Sequence, residues 1–341
     1  MGTSLAREST VLDAVDARIV RALQLNPRAG FATIADVLGL SEQTVARRYR
    51  RLRRAGIVRV LGVVNPAALG QSTWVVRVRC RPDGTTSLAE ALARREDVAW
   101  VALSAGGSEI TFSVRSRTRE QRDHLLVQRL PRTAPVLDIQ ASVLLHQFVG
   151  GRSDDWAGLS ARLTGAETAR LGATEIPVPS RTTRPITLEP HDDALLATLM
   201  RDGRASYAEL AAASGLSEGR ATRRVAALID SGAVYIDVDL AAAAMGFTTQ
   251  ANLWMRVAPS ALHAAGTALQ KMPQVAFAGA TSGQHNLSAA VICRTLDELY
   301  AFTTEQVGAL EGVQTLEVSP VLRHVKQSGA LTEGDRLAPP E

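Results

Sequence analysis

The stretch that decides the fold is GLSEQTVARRYRRLRRAG, residues 39–56. Gly39 is placed to end one helix in the left-handed conformation, and Ser41 is placed to cap the next one. A three-residue turn between two short helices is the local signature of a helix-turn-helix. Upstream, helical spacing of apolar residues predicts one helix over residues 13–24 and a second over residues 31–38.

The helix after this turn, predicted over residues 42–55, carries a dense positive charge. Val45, Tyr49 and Leu52 recur at helical spacing and are expected to be its buried stripe. Residues 41–56 contain six Arg and one acidic residue. Such a face suits the DNA major groove, where Arg binds guanine edges and flanking Arg binds phosphates. The predicted DNA-binding residues are Ser41, Gln43, Thr44, Arg47, Arg48, Arg50, Arg51 and Arg54.

This arrangement occurs twice in the chain. A shift of 176 residues aligns GLSE at 39–42 with GLSE at 215–218, and Asp16 with Asp192. The repeat unit of about 140 residues is too long for a solenoid repeat and indicates two copies of a domain pair.

The second copy keeps the helix but has less charge on it. Residues 217–232 have a net charge of +1, whereas the equivalent window of the first copy has +5. Ala227 and Asp230 replace Arg51 and Arg54. Because fewer phosphate contacts weaken binding, we expect this module to bind DNA weakly, to read another half-site, or to serve mainly as structure. Its predicted DNA-binding residues are Ser217, Arg220, Arg223 and Arg224.

Charge and composition set the class of protein. Residues 1–150 carry 22 Arg against 13 acidic residues (+9), whereas residues 151–341 carry 16 basic against 21 acidic residues (−5). A basic half suggests a nucleic-acid partner. Two cysteines and six scattered histidines give no disulfide framework and no metal-ligand spacing, so no metal and no cofactor is expected. No signal peptide or membrane span is recognisable, so a cytoplasmic protein is expected.

A strand or wing, predicted over residues 57–64 in copy one, follows each helix-turn-helix, and then a strand–helix–strand–strand–helix–strand pattern begins. Copy one has predicted strands at 73–79, 98–103, 110–114 and 136–145, with helices at 87–95 and 119–130. Copy two has predicted strands at 251–257, 275–280, 287–292 and 313–322, with helices at 260–271 and 296–310. This pattern is typical of a ferredoxin-like βαββαβ domain. The fold class is therefore α+β, with two winged helix-turn-helix domains each followed by a ferredoxin-like domain.

The predicted boundaries follow from these patterns. They are winged helix-turn-helix one at 11–65, ferredoxin-like effector and dimerisation domain one at 66–149, a linker at 150–187, winged helix-turn-helix two at 188–241, ferredoxin-like effector and dimerisation domain two at 242–327, and a tail at 328–341. Within the linker, residues 156–171 have the composition of a short helix, and the rest is rich in Gly, Pro and Ser.

The order of these elements resembles the Lrp/AsnC (feast/famine) family of prokaryotic transcriptional regulators. The resemblance is carried by Leu12-Asp13, GLS at 39–41, RAGIV at 54–58, Leu69-Gly70 and GGSE at 106–109. It implies sheet domains of the RAM/AsnC type that pair face to face as dimers. In a fused chain, the two copies are expected to form that dimer within one molecule.

The resemblance also implies a small-molecule effector, often an amino acid, bound near a Gly-x-x-Asp loop of the sheet domain. Here the acidic position holds Glu109 in copy one and Asn286 in copy two. The expected effector-binding residues are Gly106, Gly107, Glu109, Gly283, Gln284 and Asn286. The expected partners are double-stranded DNA, an amino acid or related effector, and further copies of the chain through the sheet domains, with no membrane.

Two alternatives stay open. Siroheme decarboxylases resemble this family, sometimes occur as fused pairs, and carry His after the wing and a His/Tyr/Arg cluster near the first sheet strand. Here the post-wing position is Asn65-Pro66, and residues 71–79 and 248–257 contain no His. No residue is assigned a catalytic role, and we expect a protein that is not an enzyme. An effector-sensing scaffold without DNA binding is disfavoured by the arginine helix of copy one and stays open for copy two.

Overall fold

The computed structural model describes residues 12–116, 118–150, 156, 158, 163–172 and 186–339. Each copy begins with three helices, and the predicted turn joins the second helix to the third. The helices of module one are α1 (Ala14–Leu25), α2 (Phe31–Leu38) and α3 (Glu42–Arg54), and those of module two are α7 (Asp192–Arg201), α8 (Tyr207–Ser214) and α9 (Glu218–Asp230). The predicted helices of module one are therefore correct to within one residue at each end.

Local sequence explains where these helices start and stop. The side chain of Asp13 caps α1 by accepting from the Asp16 amide at 2.7 Å. α2 ends at Gly39, whose φ of +68° is the left-handed conformation that glycine adopts without strain. The turn could therefore be predicted from the sequence, because each of its ends requires a particular type of residue.

The strand that follows each helix-turn-helix pairs with the equivalent strand of the other copy. β1 (Val58–Val64) of copy one pairs with β6 (Val234–Leu240) of copy two, antiparallel, from Val58 opposite Leu240 to Val64 opposite Val234. The sequence predicted a strand pair or wing at this place, and the structure shows a strand pair that the two copies form together. A lone edge strand leaves its backbone groups unpaired, and here the equivalent strand of the other copy satisfies them.

A reciprocal clasp also joins the two modules. Arg28 donates to the carbonyls of Gly203 (2.5 Å) and Ala205 (3.1 Å). Its repeat equivalent, Arg204, donates to the carbonyls of Pro27 (2.6 Å) and Ala29 (2.9 Å). One continuous hydrophobic core contains residues of both modules. The two helix-turn-helix units are therefore held as one pseudo-symmetric body.

The sheet domains follow the predicted order. Copy one has β2 (Trp74–Cys80), α4 (Pro82–Ala93), β3 (Val98–Ser104), β4 (Glu109–Val114), α5 (Arg119–Asp123) and β5 (Val136–Val149). Copy two has β7 (Thr249–Val257), α10 (Leu262–Leu269), β8 (Val275–Thr281), β9 (Leu287–Cys293), α11 (Leu296–Ala301) and β10 (Val313–Gln327). α5 and α11 continue as π-helical turns over His124–Arg129 and Phe302–Val307. α4 starts five residues earlier than predicted, because Pro82 at a first helical position needs no backbone donor.

Two long strands join the sheet domains. The first part of β5 pairs with β2, and its end pairs with β8 of the other copy. Likewise β10 pairs first with β7 and then with β3. The strand order β10-β3-β4-β2-β5-β8-β9-β7, with β7 again beside β10, closes the sheet on itself. The predicted ends at residues 145 and 322 are thus too early, because these strands continue on partners that lie in the other copy.

The described residues of the two segments outside the repeat include regular secondary structure. In the linker, α6 (Gly165–Arg170) is capped by Thr164, and Trp156 is buried with its ring 5.0 Å from that of Phe247. After β10, β11 (Ala330–Glu333) and β12 (Arg336–Leu337) form a C-terminal hairpin on the sheet. The expectation of a plain tail at 328–341 is wrong, since Ala330 and Leu337 are buried in the helix-turn-helix core. Within the described residues, no helix is both long and apolar enough to cross a membrane.

Candidate nucleic-acid interface

The helix α3, here called the reading helix because it carries the predicted DNA-binding residues, has one apolar and one basic face. Val45, Tyr49 and Leu52 are buried, as the spacing predicted. The Ser41 hydroxyl accepts from the Thr44 amide at 3.2 Å and so fixes the start of the helix. The predicted DNA-binding residues that lie exposed are Ser41, Gln43, Arg47, Arg50, Arg51 and Arg54, while Thr44 is half-buried.

Arg48 forms an internal ion pair that was not predicted from the sequence. Its guanidinium lies 2.8 Å from Asp16 and 2.5 Å from Asp13, both at the start of α1. The Asp16 side chain is only 3% exposed. The hydrogen bond from Arg48 holds the pKa of Asp13 below its usual value, and the two carboxylates hold the pKa of Arg48 above its own. The prediction that Arg48 lies on the exposed face is therefore wrong, because α1 supplies a buried carboxylate for it.

Arg51 also reaches Asp16, but it remains more than half exposed. In the part of the chain that the structure describes, Arg47 and Arg54 make no ion pair, and Arg50 bonds only the Ala46 carbonyl of its own helix. The charge available to a DNA backbone or base edge is thus concentrated on Arg47, Arg50 and Arg54, with Arg51 shared between Asp16 and solvent.

The second module repeats the internal ion pair. Arg224, the equivalent of Arg48, lies 2.8 and 2.5 Å from the two oxygens of the fully buried Asp192, and 2.9 Å from Glu189. Burial acts to raise the pKa of Asp192, but the hydrogen bonds from Arg224 and from the Glu189 amide outweigh it and lower that pKa. Arg224 is therefore half-buried and has a structural role, like Arg48. The sequence had predicted it as an exposed DNA-binding residue.

The remaining basic residues of α9 are fewer. Arg220 and Arg223 are exposed, and Ser217 starts the helix without a side-chain hydrogen bond. Arg220 and Arg223 line an open groove of about 250 Å³ together with Glu189, His191, Leu216, Arg224 and Ala227. Ala227 lies where Arg51 lies in module one, so the groove is open where the first copy has a long side chain.

The candidate effector loop of copy one is occupied by internal contacts. Gly106 has a left-handed φ of +66°, as a tight glycine turn requires, and Gly107 lies beside Leu322 of β10. Glu109 is buried, and Arg77 donates to it at 2.8 Å while also donating to Glu317 at 2.5 Å. The Glu109 carboxylate is thus neutralised within the protein.

The equivalent loop of copy two is arranged in the same way with different chemistry. The Asn286 amide donates to the Val257 carbonyl and accepts from the Val257 amide, both at 2.8 Å. Gly283 has a φ of +98° and faces Ser142 of β5, and Gln284 is exposed beside it. Each loop therefore lies at the seam with the last strand of the other copy. The side chain at the acidic position, Glu109 in one loop and Asn286 in the other, makes internal contacts that support the fold.

Comparisons with known proteins agree with this architecture. Residues 12–53 match the AsnC-type helix-turn-helix domain, residues 188–235 match a winged helix-turn-helix DNA-binding domain, and residues 250–331 match the Lrp/AsnC ligand binding domain.

The chain is also similar to HTH-type transcriptional regulators of Pyrococcus species. The chain is 28% identical over 117 residues to the HTH-type transcriptional regulator FL11 of Pyrococcus abyssi, which covers 34% of this chain and 78% of the relative. It is 31% identical over 126 residues to an uncharacterised HTH-type transcriptional regulator of Pyrococcus horikoshii, which covers 35% of this chain and 83% of that relative.

Among solved structures, the siroheme decarboxylase NirDL is similar over almost the whole chain. The TM-score is 0.60 at 13% identity, with 91% of this chain and 92% of that chain covered. At this identity the similarity shows a common fold, and nothing about the reaction.

Proposed function

The chain belongs to the Lrp/AsnC family of DNA-binding transcriptional regulators, and from this premise we propose that it reads DNA chiefly with the α3 helix of its first module. The observation that carries the proposal is the exposed arginine face of α3. Arg47, Arg50 and Arg54 have no carboxylate partner among the described residues, and such residues bind phosphates and guanine edges.

The second module takes a supporting part in this proposal. Only Arg220 and Arg223 remain exposed on α9, because Arg224 is held by Asp192. Fewer phosphate contacts mean weaker binding with a flatter salt dependence. Since β1 pairs with β6 and the Arg28–Arg204 clasp joins the modules, one chain would offer two unequal reading helices at a fixed distance.

A gel-shift series with matched variants tests this proposal. Genomic DNA fragments that bind the purified chain are first selected, and the tightest is used as operator. Arg47→Ala is expected to lower operator affinity by about tenfold or more, whereas Arg223→Ala lowers it by about threefold. Equal losses from the two variants would show that both helices contribute alike and would contradict the proposed asymmetry.

We further propose that a small-molecule effector, an amino acid or a related compound, acts through the sheet domains, of which the second matches a ligand binding domain. Its site is expected at the seams between copies, where Gly107 meets Leu322 and Gly283 meets Ser142. Glu109 and Asn286 would serve there as support for the loop and not as ligand contacts, because Arg77 and Val257 already occupy them. A thermal-shift panel of the twenty amino acids tests this, with Gly283→Val as the variant that closes one seam.

For the remaining properties, we propose a cytoplasmic regulator that self-associates through its sheet domains and catalyses no reaction. On the first sheet strand, β2, Arg77 is paired with the carboxylates of Glu109 and Glu317. A charged pair of this kind offers an anionic substrate little attraction. Titration with siroheme under anaerobic conditions distinguishes the two functions, since binding with loss of carbon dioxide would refute the absence of catalysis.

A further inference from the structure

Both segments outside the repeat contact the first module. α6 of the linker pairs Glu167 with Arg18 at 2.6 Å, and the Asn26 side chain donates to the Leu171 carbonyl at 2.7 Å. Arg170 pairs with Asp36 at 2.5 Å. The C-terminal hairpin (β11 and β12, residues 330–337) contacts the same module at the C-terminal end of the reading helix α3.

The hairpin binds the backbone at the end of α3. Arg336 Nη1 donates to the Ala55 carbonyl at 2.6 Å, and the Leu337 amide donates to the Gly56 carbonyl at 2.8 Å. The Ala55 and Gly56 carbonyls belong to the residue that caps α3 and to the one after it, and a positive charge near the C-terminus of a helix is favourable. These two contacts therefore hold the backbone directly after the reading helix.

The same hairpin is anchored on the second sheet domain. Leu331 pairs with Lys326 of β10, and the Ala338 amide closes the hairpin by donating to the Leu331 carbonyl at 2.8 Å. Leu337 is buried in the helix-turn-helix core, and Arg59 of β1 donates to the Ala338 carbonyl. One short segment thus connects the ligand-binding half of copy two to the reading helix of copy one.

The hairpin borders a cavity. A cavity of about 110 Å³ lies between part of the hairpin, β10 and the connection that precedes β7, and His324, Gln250 and Thr332 are among the residues that line it. Packing on that side of the hairpin is therefore incomplete, and the hydrogen bonds to the backbone after α3 and the burial of Leu337 add to what holds the hairpin in place.

We propose that the C-terminal hairpin is a positioning element that fixes the orientation of α3 for DNA reading, with Arg336 and Leu337 as its positioning residues. The inference rests on the proposed role of α3 in DNA binding. The two residues act through the helix end and do not touch DNA. A helix that is held before binding loses less conformational freedom on binding, which raises affinity without adding a contact.

The test compares Arg336→Ala/Leu337→Ala with the matched control Asp335→Ala, which alters an exposed residue in the turn of the same hairpin. Hydrogen exchange of the α3 and β1 amides is measured on the DNA-free protein, and operator affinity is measured at several salt concentrations. We expect the double variant to speed exchange at the end of α3 and to lower affinity by about tenfold, with the salt slope unchanged. The control is expected to match the wild type.

Two results would overturn the proposal. The first is unchanged exchange at α3 in the double variant, which would show that the hairpin does not hold the helix. The second is a salt slope reduced by about one, which would identify Arg336 as a direct phosphate contact. The single variant Arg336→Ala, which leaves Leu337 in the core, gives the same comparison if the double variant fails to fold. If the wild type binds no DNA, the proposed function fails, while the exchange measurement still decides whether the hairpin fixes α3.

Discussion

Replacing Arg48 or Arg47 by alanine should separate a structural arginine from a DNA-reading one. The two residues are adjacent on α3, yet Arg48 pairs with the buried Asp16 while Arg47 is exposed. Removing one partner of a buried ion pair costs about 3–5 kcal/mol, because the other charge is left uncompensated. Asp16 keeps its contact with Arg51, so we expect Arg48→Ala to lower the free energy of unfolding of module one by about 2 kcal/mol. Arg47→Ala should change it by about 0.5 kcal/mol or less.

Native-state hydrogen exchange provides the assay, because it reports the stability of α1 and α3 separately from the sheet domains. A loss of about 2 kcal/mol corresponds to exchange about 30-fold faster in Arg48→Ala. Arg47→Ala should leave exchange unchanged and lower operator affinity by about tenfold or more. Equal exchange in the two variants, or a loss of DNA affinity confined to Arg48→Ala, would refute the assignment of these roles.

Three further predictions follow from the described contacts. The pKa of Asp192 is lowered in the folded state, so its contribution is present above pH of about 4 and is lost as the pH falls further; the stability difference between wild type and Asp192→Asn should therefore shrink in acid unfolding. Burial, with a smaller contribution from Asp237, raises the pKa of Asp239 to about 7, so the folded protein should lose stability as pH rises from about 4 through 7; Asp239→Asn should remove that slope and raise the melting temperature at pH 8. Arg204→Ala removes two hydrogen bonds between the modules, and it should lower affinity for the complete operator by about tenfold while leaving affinity for an isolated half-site unchanged, as measured by gel shift.

Much of the fold was predictable because local chemistry determines it. Gly39 and Ser41 fix the turn of the first module, and their observed conformations are those that the sequence required. The strand and helix order of both sheet domains was likewise readable from alternation and helical spacing.

The contacts between copies were not predictable from local patterns. β1 looked like half of a wing, and only the structure shows that its partner is β6. The ends of β5 and β10 were placed too early, since the residues beyond them pair with strands of the other copy. Sequence alternation reports burial on a face, and it does not identify which strand lies alongside.

The site was predicted in outline and corrected in detail. Counting Arg on α3 identified the basic face, but it could not show that Arg48 is bound by Asp16. A signal for this pair existed in the repeat, because Asp16 and Asp192 align under the same shift that aligns Arg48 with Arg224. Two oppositely charged positions that recur together indicate an internal ion pair more readily than a DNA contact.

The central claim is that a single chain places two fixed and unequal reading helices on DNA. Hydroxyl-radical footprinting of the wild type and of Arg47→Ala on the selected operator tests it most directly. One chain should protect two half-sites on one face of the duplex, about one helical turn apart. Arg47→Ala should reduce protection at the stronger half-site more than at the weaker one. Two equally protected half-sites, each lost to the same extent in Arg47→Ala and Arg223→Ala, would contradict the account.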